Sequence, residues 1–490
     1  MLFIESRISN HRVEAQSRLQ LLEKLQDKGL IPLIRSARLH CFELALMSPE
    51  RAPDMERAVA AQATIENDAP YVRGDLFCFE DFVLYLIFGD EDEAVSGMRA
   101  GIVYEAETQA PLLSLDSFCR NVREALEATR SSRSSSNSSD TNGNGETTAT
   151  TAQEEPIVWR GREPRDASRL MRFQDGRANG VADARRVTGA AQLRAVELLE
   201  DAGARRFLWR ISEAQATGRA GGELQSEVEA EGGTDSLVGR LSDAGLLRRE
   251  VVVSCRKVGR SLFRLPSSDA LNVITSSNAT CSECGASIAD EKVDELIVPT
   301  DTASTLLENG SWLSTRLYSV LRGLGIPESR IALGPPASDG EINMMADICG
   351  ETFLFVLRDG DLAATHARHA LDRQVETEAA HLVVVATGKI QDEARIRLRE
   401  HARRRARAGG REVEVLLVEG VNSAINELQH AFERVSQRAL SEELCALDAA
   451  LGLSVGHMIS TRFRLMQKSG ALSDLAESAV GALAGSLREI

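Results

Sequence analysis

The chain is predicted to be multidomain, mixing α/β and α+β architecture, and three observations predict it. Its 490 residues leave room for roughly three domains. The stretch Thr129–Glu155 holds no aliphatic side chain larger than alanine, so it cannot bury enough apolar surface to offset its ordering entropy. After Thr302, short apolar runs alternate with amphipathic helical patterns. The expected organisation is a mixed N-terminal association domain over 1–128 and a linker over 129–157. A helix-and-hairpin region with an Arg-rich lead-in follows over 158–270. A Cys-x-x-Cys element (271–300), an α/β region (301–420) and C-terminal helices (421–490) complete the chain.

Composition narrows the classes. An apolar fraction of 43% is ordinary for globular domains. No run of eighteen apolar residues occurs, and the first residues lack a basic stretch followed by an apolar one. A membrane span and a secretory signal are therefore not expected. Eight scattered cysteines, with only Cys281 and Cys284 close together, fit a reduced, cytoplasmic setting. The net charge of −16 argues against a protein that coats nucleic acid with its whole surface, but leaves room for a local basic face.

In the first region Val13, Leu19, Leu22 and Leu25 step as a helix, and Leu76–Phe88 is an apolar block. The block reads as a buried core element, with an exposed partner surface as the alternative. His11 and His40 stand alone, without ligand spacing, and no catalytic constellation is found here. Association with a protein partner or a second copy is the expected role.

Between Trp159 and Arg186 eight arginines face four acids. Leu193, Val196, Leu199 and Ala202 then step as one helical face ending near Gly203, and Glu223–Glu229 suggests a short second helix. Thr234 is placed to cap a third, with Gly245 as its stop. Strands are expected at Leu246–Ser254 and Ser261–Leu265, joined by Cys255–Arg260. Three helices and a hairpin, with the phrase Leu237-Val-Gly-Arg-Leu-Ser-Asp-Ala-Gly-Leu-Leu-Arg-Arg249, resemble the winged helix-turn-helix family. The resemblance implies DNA contact through Arg240, Arg248, Arg249, Arg256, Lys257 and Arg260. The charge agrees: Ser236–Pro266 holds seven cations against two acids. Winged helices also serve as protein–protein modules, and that alternative stays open.

Cys281-Ser-Glu-Cys-Gly285 has the spacing of a zinc knuckle, in which glycine permits the tight turn and two thiolates converge. A structural zinc needs four ligands. Cys255 and Cys349 are candidates to complete the set, as is a second copy of the chain; a vestigial turn is the competing reading.

From Thr302 the expected order is a helix from Ala303 to Leu324, the hairpin Gly340–Gly360, and a helix from Leu362. A strand from His381, a helix from Gln391 to Ala408 and a strand from Val413 to Val418 complete it. This succession resembles the αβββαβ core of the restriction-endonuclease-like, PD-(D/E)XK superfamily over about Thr302–Glu419. The resemblance implies a divalent-metal site at the hairpin, with Mg²⁺ as cofactor if cleavage is retained. Here Glu341-Ile-Asn343 stands where many members carry acid-x-Asp, and Val356-Leu-Arg358 where they carry Glu-x-Lys. Valine cannot ligate, and arginine exchanges protons poorly with water, so a catalytically degenerate pseudo-nuclease is expected. The rival is an active nuclease using relocated acids, with Glu341, Asn343, Asp347 and Arg358 as candidates and Asp359 and Asp361 flanking them.

Arg395, Arg399 and Arg403 recur at four-residue steps opposite Ala394, Leu398 and Ala402, a basic ridge suited to phosphates or simply a solvated face. Ile425, Leu428, Phe432, Val435, Leu440 and Leu444 form an amphipathic series for packing or dimerisation. The expectation is a DNA-binding scaffolding or regulatory protein, in a setting such as prokaryotic defence or gene regulation. A protein-interaction adaptor that never meets nucleic acid is the third reading.

Overall fold

The computed structural model describes residues 1–65, 72–89, 97–106, 108–136, 157–161, 170, 173, 190–216, 234–277, 279–307, 310–334, 341–407 and 413–467. Helices and strands are mixed, with three sheets among the described residues. The chain divides into two compact units. The first comprises Met1–Arg165, Ile348–Gly350 and Leu428–Ile490; the second comprises Asp166–Asp347 and Glu351–Glu427.

The first unit is built on the strands β1 (Leu2–Ser9), β2 (Gly74–Cys78), β3 (Phe82–Phe88), β4 (Met98–Glu105) and β5 (Arg160–Gly161). Their order across the sheet is β2-β3-β4-β1-β5. The apolar block Leu76–Phe88 is thus two strands of a hairpin, turned at Phe79–Asp81. It is apolar at nearly every position because the sheet is covered on both faces. Leu84, Leu86 and Phe88 point to a core shared with the helices Ala15–Asp27 and Pro111–Ser136. Val83, Tyr85 and Ile87 point to the opposite core, which Leu440, Leu444, Leu447, Val455, Ile459 and Phe463 complete. These come from the helices Val421–Leu451 and Val455–Gln467.

Three sequence boundaries move in consequence. The linker was expected from residue 129, yet the helix from Pro111 continues to Ser136. The buried Thr129 hydroxyl is satisfied within it by donating to the Ala125 carbonyl at 2.8 Å. Residues 137–156 lie outside the described residues. The helix-and-hairpin region was expected from residue 158, but Ile157 belongs to the first core, Trp159 donates to the Cys119 carbonyl at 3.1 Å, and β5 pairs with β1. The C-terminal helices, read as a separate region, supply one whole layer of the first unit from Leu428 onward. No single helix among the described residues is long and apolar enough to cross a membrane. The two C-terminal helices pass that test only as a pair bent by 103°, and their apolar faces lie in the core just described.

The second unit carries a three-stranded antiparallel sheet formed by β6 (Leu247–Ser254), β7 (Ser261–Leu265) and β8 (Lys292–Pro299), in the order β7-β6-β8. The helix expected to end near Gly203 breaks earlier. It spans Ala190–Leu198, and a second helix, Ala202–Ala216, follows where none was expected. The helix expected at Glu223–Glu229 lies outside the described residues. The third, Thr234–Asp243, is closed by Gly245 at φ 73°, with Leu246 N–H reaching back to the Leu241 carbonyl.

Five further strands form the other sheet: β9 (Ile331–Leu333), β10 (Glu341–Ile348), β11 (Glu351–Arg358), β12 (His381–Ala386) and β13 (Glu414–Glu419), in the order β13-β12-β11-β10-β9. β11, β12 and β13 run parallel, with the helices Ala364–Thr377 and Asp392–Arg407 as crossovers. β9 is antiparallel to β10, and Cys349-Gly350 makes the two-residue turn between β10 and β11. The single helix expected from Ala303 to Leu324 is two, Asp301–Leu307 and Ser311–Gly323, with Gly310 at φ 67° beginning the second. At the start of the parallel strands His381 sits between two carboxylates, Glu351 at 2.5 Å and Glu414 at 3.2 Å. Its ring lies flat on Phe353, centroids 4.0 Å apart.

Candidate metal centre

Among the described residues, one grouping of His, Cys, Asp and Glu side chains has the geometry to hold a metal ion: Cys255, Cys281, Cys284 and Glu291. Their ligand atoms lie within 4.8 Å of one another. A tetrahedron of ligands at zinc–sulfur distance has edges of roughly 3.8 Å, so a small adjustment suffices to close it. All four come from one chain, which removes the need for a second copy to complete the set. Cys349, the other candidate, lies in the first unit with its Sγ 3.7 Å from the Leu2 carbonyl.

The sheet explains the convergence. β6 ends at Ser254, so Cys255 opens the loop that returns as β7. β8 pairs with β6 along its whole length, Ser254 opposite Lys292, which brings Glu291 beside Cys255. The Cys281–Cys284 turn precedes β8 and is clamped by a bridge between Thr280 and Ser287. Beneath these ligands lies a small apolar cluster of Val253, Ile288, Leu262, Phe263, Leu271 and Ile274.

The candidate ligands are hydrogen-bonded to one another and to the backbone. Backbone N–H groups of Val258 and then Lys257 directed at the Cys255 sulfur draw its thiol below the ordinary range, against the effect of burial. The Cys284 thiol donates to Glu291 Oε1 at 3.0 Å. That contact with the Glu291 carboxylate pushes the thiol up to about 12 and holds the carboxylate at about 2. Glu291 Oε2 accepts the Arg256 N–H at 2.5 Å. A metal ion here would be held by the three cysteine sulfurs and Glu291; its binding would displace the thiol protons to water and leave Glu291 Oε1 free to ligate. Cys281 and Cys284 were expected from the sequence and Cys255 was weighed as their completion. Glu291 was missed.

The residues expected to meet nucleic acid are more divided. Arg248 pairs with Glu250 at 2.9 Å, Arg249 with Glu295 at 3.6 Å and Arg260 with Glu283 at 3.3 Å. The last two acids come from β8 and the Cys281 turn, neither of which the two-stranded reading placed beside the hairpin. Arg240, Arg256 and Lys257 are exposed without an ion pair among the described residues. On the helix Asp392–Arg407, Arg395 is bound to Glu419, whereas Arg399 and Arg403 are exposed; Ala394 and Leu398 are buried as expected.

At the hairpin, alternation sets Glu341, Asn343 and Asp347 on one face of β10, and all three are buried. Val356 packs with Ala367, Ala370, Leu382, Val384 and Ala394 in an apolar cluster. The flanking acids are engaged in local bonds. Asp359 accepts from Trp312 Nε1 at 3.0 Å and Thr387 Oγ1 at 2.7 Å; Asp361 accepts from the Lys389 amide at 2.8 Å. Arg358 Nε donates to the Asp361 carbonyl at 3.0 Å.

Comparison of the chain with family models, curated proteins and solved structures finds no match.

Proposed function

We propose that this chain is a zinc-binding protein that contacts nucleic acid, most naturally duplex DNA, through the loop between β6 and β7. The observation that carries the reading is the cluster of Cys255, Cys281, Cys284 and Glu291 at the base of that loop. Three thiols and a carboxylate in one small volume match the ligand preference of zinc rather than that of magnesium or calcium. A bound ion would stabilise a loop whose tip carries the exposed Arg256 and Lys257, where cations meet phosphates with little ordering left to lose. The Thr234–Asp243 helix and the following sheet support the winged-helix reading of this segment.

In the same proposal the hairpin of β10 and β11 is a frame that no longer cuts. Val356 in an apolar cluster and the local bonds of Asp359 and Asp361 favour this over relocated acids. The protein then acts as a binding or scaffolding component.

The test is duplex-DNA binding by the full chain, zinc-loaded, across a salt series. Affinity should fall steeply with salt, since phosphate contacts release counterions. Arg256→Ala with Lys257→Ala should weaken binding about tenfold or more and flatten the salt slope. Salt-independent binding, or none, would defeat the nucleic-acid reading. Mg²⁺- or Mn²⁺-dependent cleavage lost in Glu341→Ala or Asp347→Ala would defeat the non-cutting one.

A further inference from the structure

Cys255 and Cys281 open two loops of the same construction. In each, the cysteine N–H donates to the carbonyl five residues ahead: Cys255 to Arg260 at 2.9 Å, Cys281 to Ala286 at 2.7 Å. In each, the cysteine carbonyl accepts from the glycine four residues ahead: Gly259 at 2.7 Å, Gly285 at 2.8 Å. Both glycines hold a left-handed backbone, φ 72° and 74°, which a side chain would strain. Loops closed by the same bonds correspond position by position. Cys284, third after Cys281, therefore corresponds to Val258, third after Cys255.

In thiols the two loops differ at that position alone; Glu283, which corresponds to Lys257, is paired with Arg260 at 3.3 Å. The Cys281 loop supplies a second thiol. The Cys255 loop supplies a valine, 59% exposed, although nothing apolar is gained by placing one there. A pair of such loops with four thiols would complete a tetrahedron; this pair is one ligand short. Glu291 stands at the shortfall. It precedes β8, is buried, and has one oxygen 3.0 Å from Cys284 Sγ while the other accepts the Arg256 N–H.

We propose that Glu291 is the fourth ligand of a three-thiolate, one-carboxylate zinc centre, replacing the thiol that the Cys255 loop lacks at Val258. The inference deepens the metal reading above and rests on it. Its consequence is a mechanical link. Glu291 would hold the ion with one oxygen and the Arg256 backbone with the other, so occupancy of the centre positions the residues that carry Arg256 and Lys257. On loading, each ligating thiol gives its proton to water as its sulfur–zinc bond forms, and no electrons change hands.

The experiment strips the full chain with a chelator and titrates it with Zn²⁺ against a competing chromophoric chelator, then with Co²⁺ for its visible spectrum. The wild type should take one zinc per chain. Glu291→Ala, and Glu291→Gln, which keeps an acceptor for Arg256, should each weaken binding about tenfold or more and move the cobalt bands. Adding Val258→Cys to Glu291→Ala should restore affinity and raise thiolate-to-cobalt absorption by about a third, from three sulfurs to four. Wild-type affinity and spectrum in both Glu291 variants would overturn this inference while leaving a metal centre in place. No recovery on adding Val258→Cys would overturn the correspondence of the two loops. A wild type that takes up no zinc would overturn both this inference and the metal reading.

Discussion

Tyr85 on β3 donates its hydroxyl to Glu443 on the helix Val421–Leu451 at 3.0 Å, and Arg99 on β4 approaches the same carboxylate at 3.4 Å. The glycine opposite Tyr85 in the sheet register, Gly101, leaves the space for its ring; a Cβ there would lie 2.1 Å from it. A bond between residues so distant in sequence fastens the C-terminal layer to the N-terminal sheet. Tyr85→Phe keeps the ring but strips one donor from a buried carboxylate, and should destabilise the first unit by about 1–3 kcal/mol. Urea unfolding measures this. A change within error would mean that Glu443 is satisfied without the tyrosine hydroxyl.

Asp75 should make stability fall with pH over the mildly acidic range. Its carboxylate accepts the N–H groups of Ile34, Arg35 and Leu76, yet burial outweighs them and lifts it to about 6 from 3.8. An acid with a raised folded value binds its proton more tightly folded than unfolded. Stability therefore drops as pH climbs from about 3.8 to about 6, then levels. Asp75→Asn lacks this titration, so its stability relative to wild type should improve by up to about 3 kcal/mol between pH 4 and pH 7. A difference that stays constant across that range would refute the assignment.

His381 should act in the opposite sense to a simple buried histidine. Burial opposes its charge, but hydrogen bonds and charge from Glu351 and Glu414 outweigh burial and raise it above 6.5. Its stabilisation is complete below 6.5 and is lost as pH rises through the raised folded value. The advantage of wild type over His381→Gln, read from unfolding at pH 6 and pH 9, should shrink at the higher pH. An equal advantage at both would show that the ring contributes by stacking on Phe353 alone.

Zinc should stabilise the chain by mass action. At a free concentration one hundred times its dissociation constant, a ligand specific to the folded state contributes about 2.7 kcal/mol. Thermal unfolding with zinc and with excess chelator should therefore differ in wild type and coincide in Cys281→Ser. A shift that survives in Cys281→Ser would place the metal elsewhere.

Much of this was legible because it depends on local pattern. Hydrophobic periodicity located the parallel strands from His381 and Val413 to within a residue or so of the observed β12 and β13. The glycine at Gly245 marked a helix end because positive φ is a local demand. The spacing Cys281-x-x-Cys284-Gly285 announced a turn able to present two thiols. The phrase Cys255-Arg-Lys-Val-Gly259 repeats the same cysteine-to-glycine interval.

What the chain by itself determined, then, is the set of elements and most of the groups that carry chemistry, since these follow from residues a few positions apart. Tertiary structure alone decided which of them meet. Pairing β8 with β6 carried Glu291 to Cys255 and placed Glu295 beside Arg249, changing a bare basic hairpin into a partly neutralised one over a metal-ligand cluster. Covering the N-terminal sheet with helices from beyond residue 428 explained why β3 has no polar face. The reason is the same in each case. A side chain's periodicity records that it is buried, or that it can ligate, but not which distant segment supplies the other half of the contact.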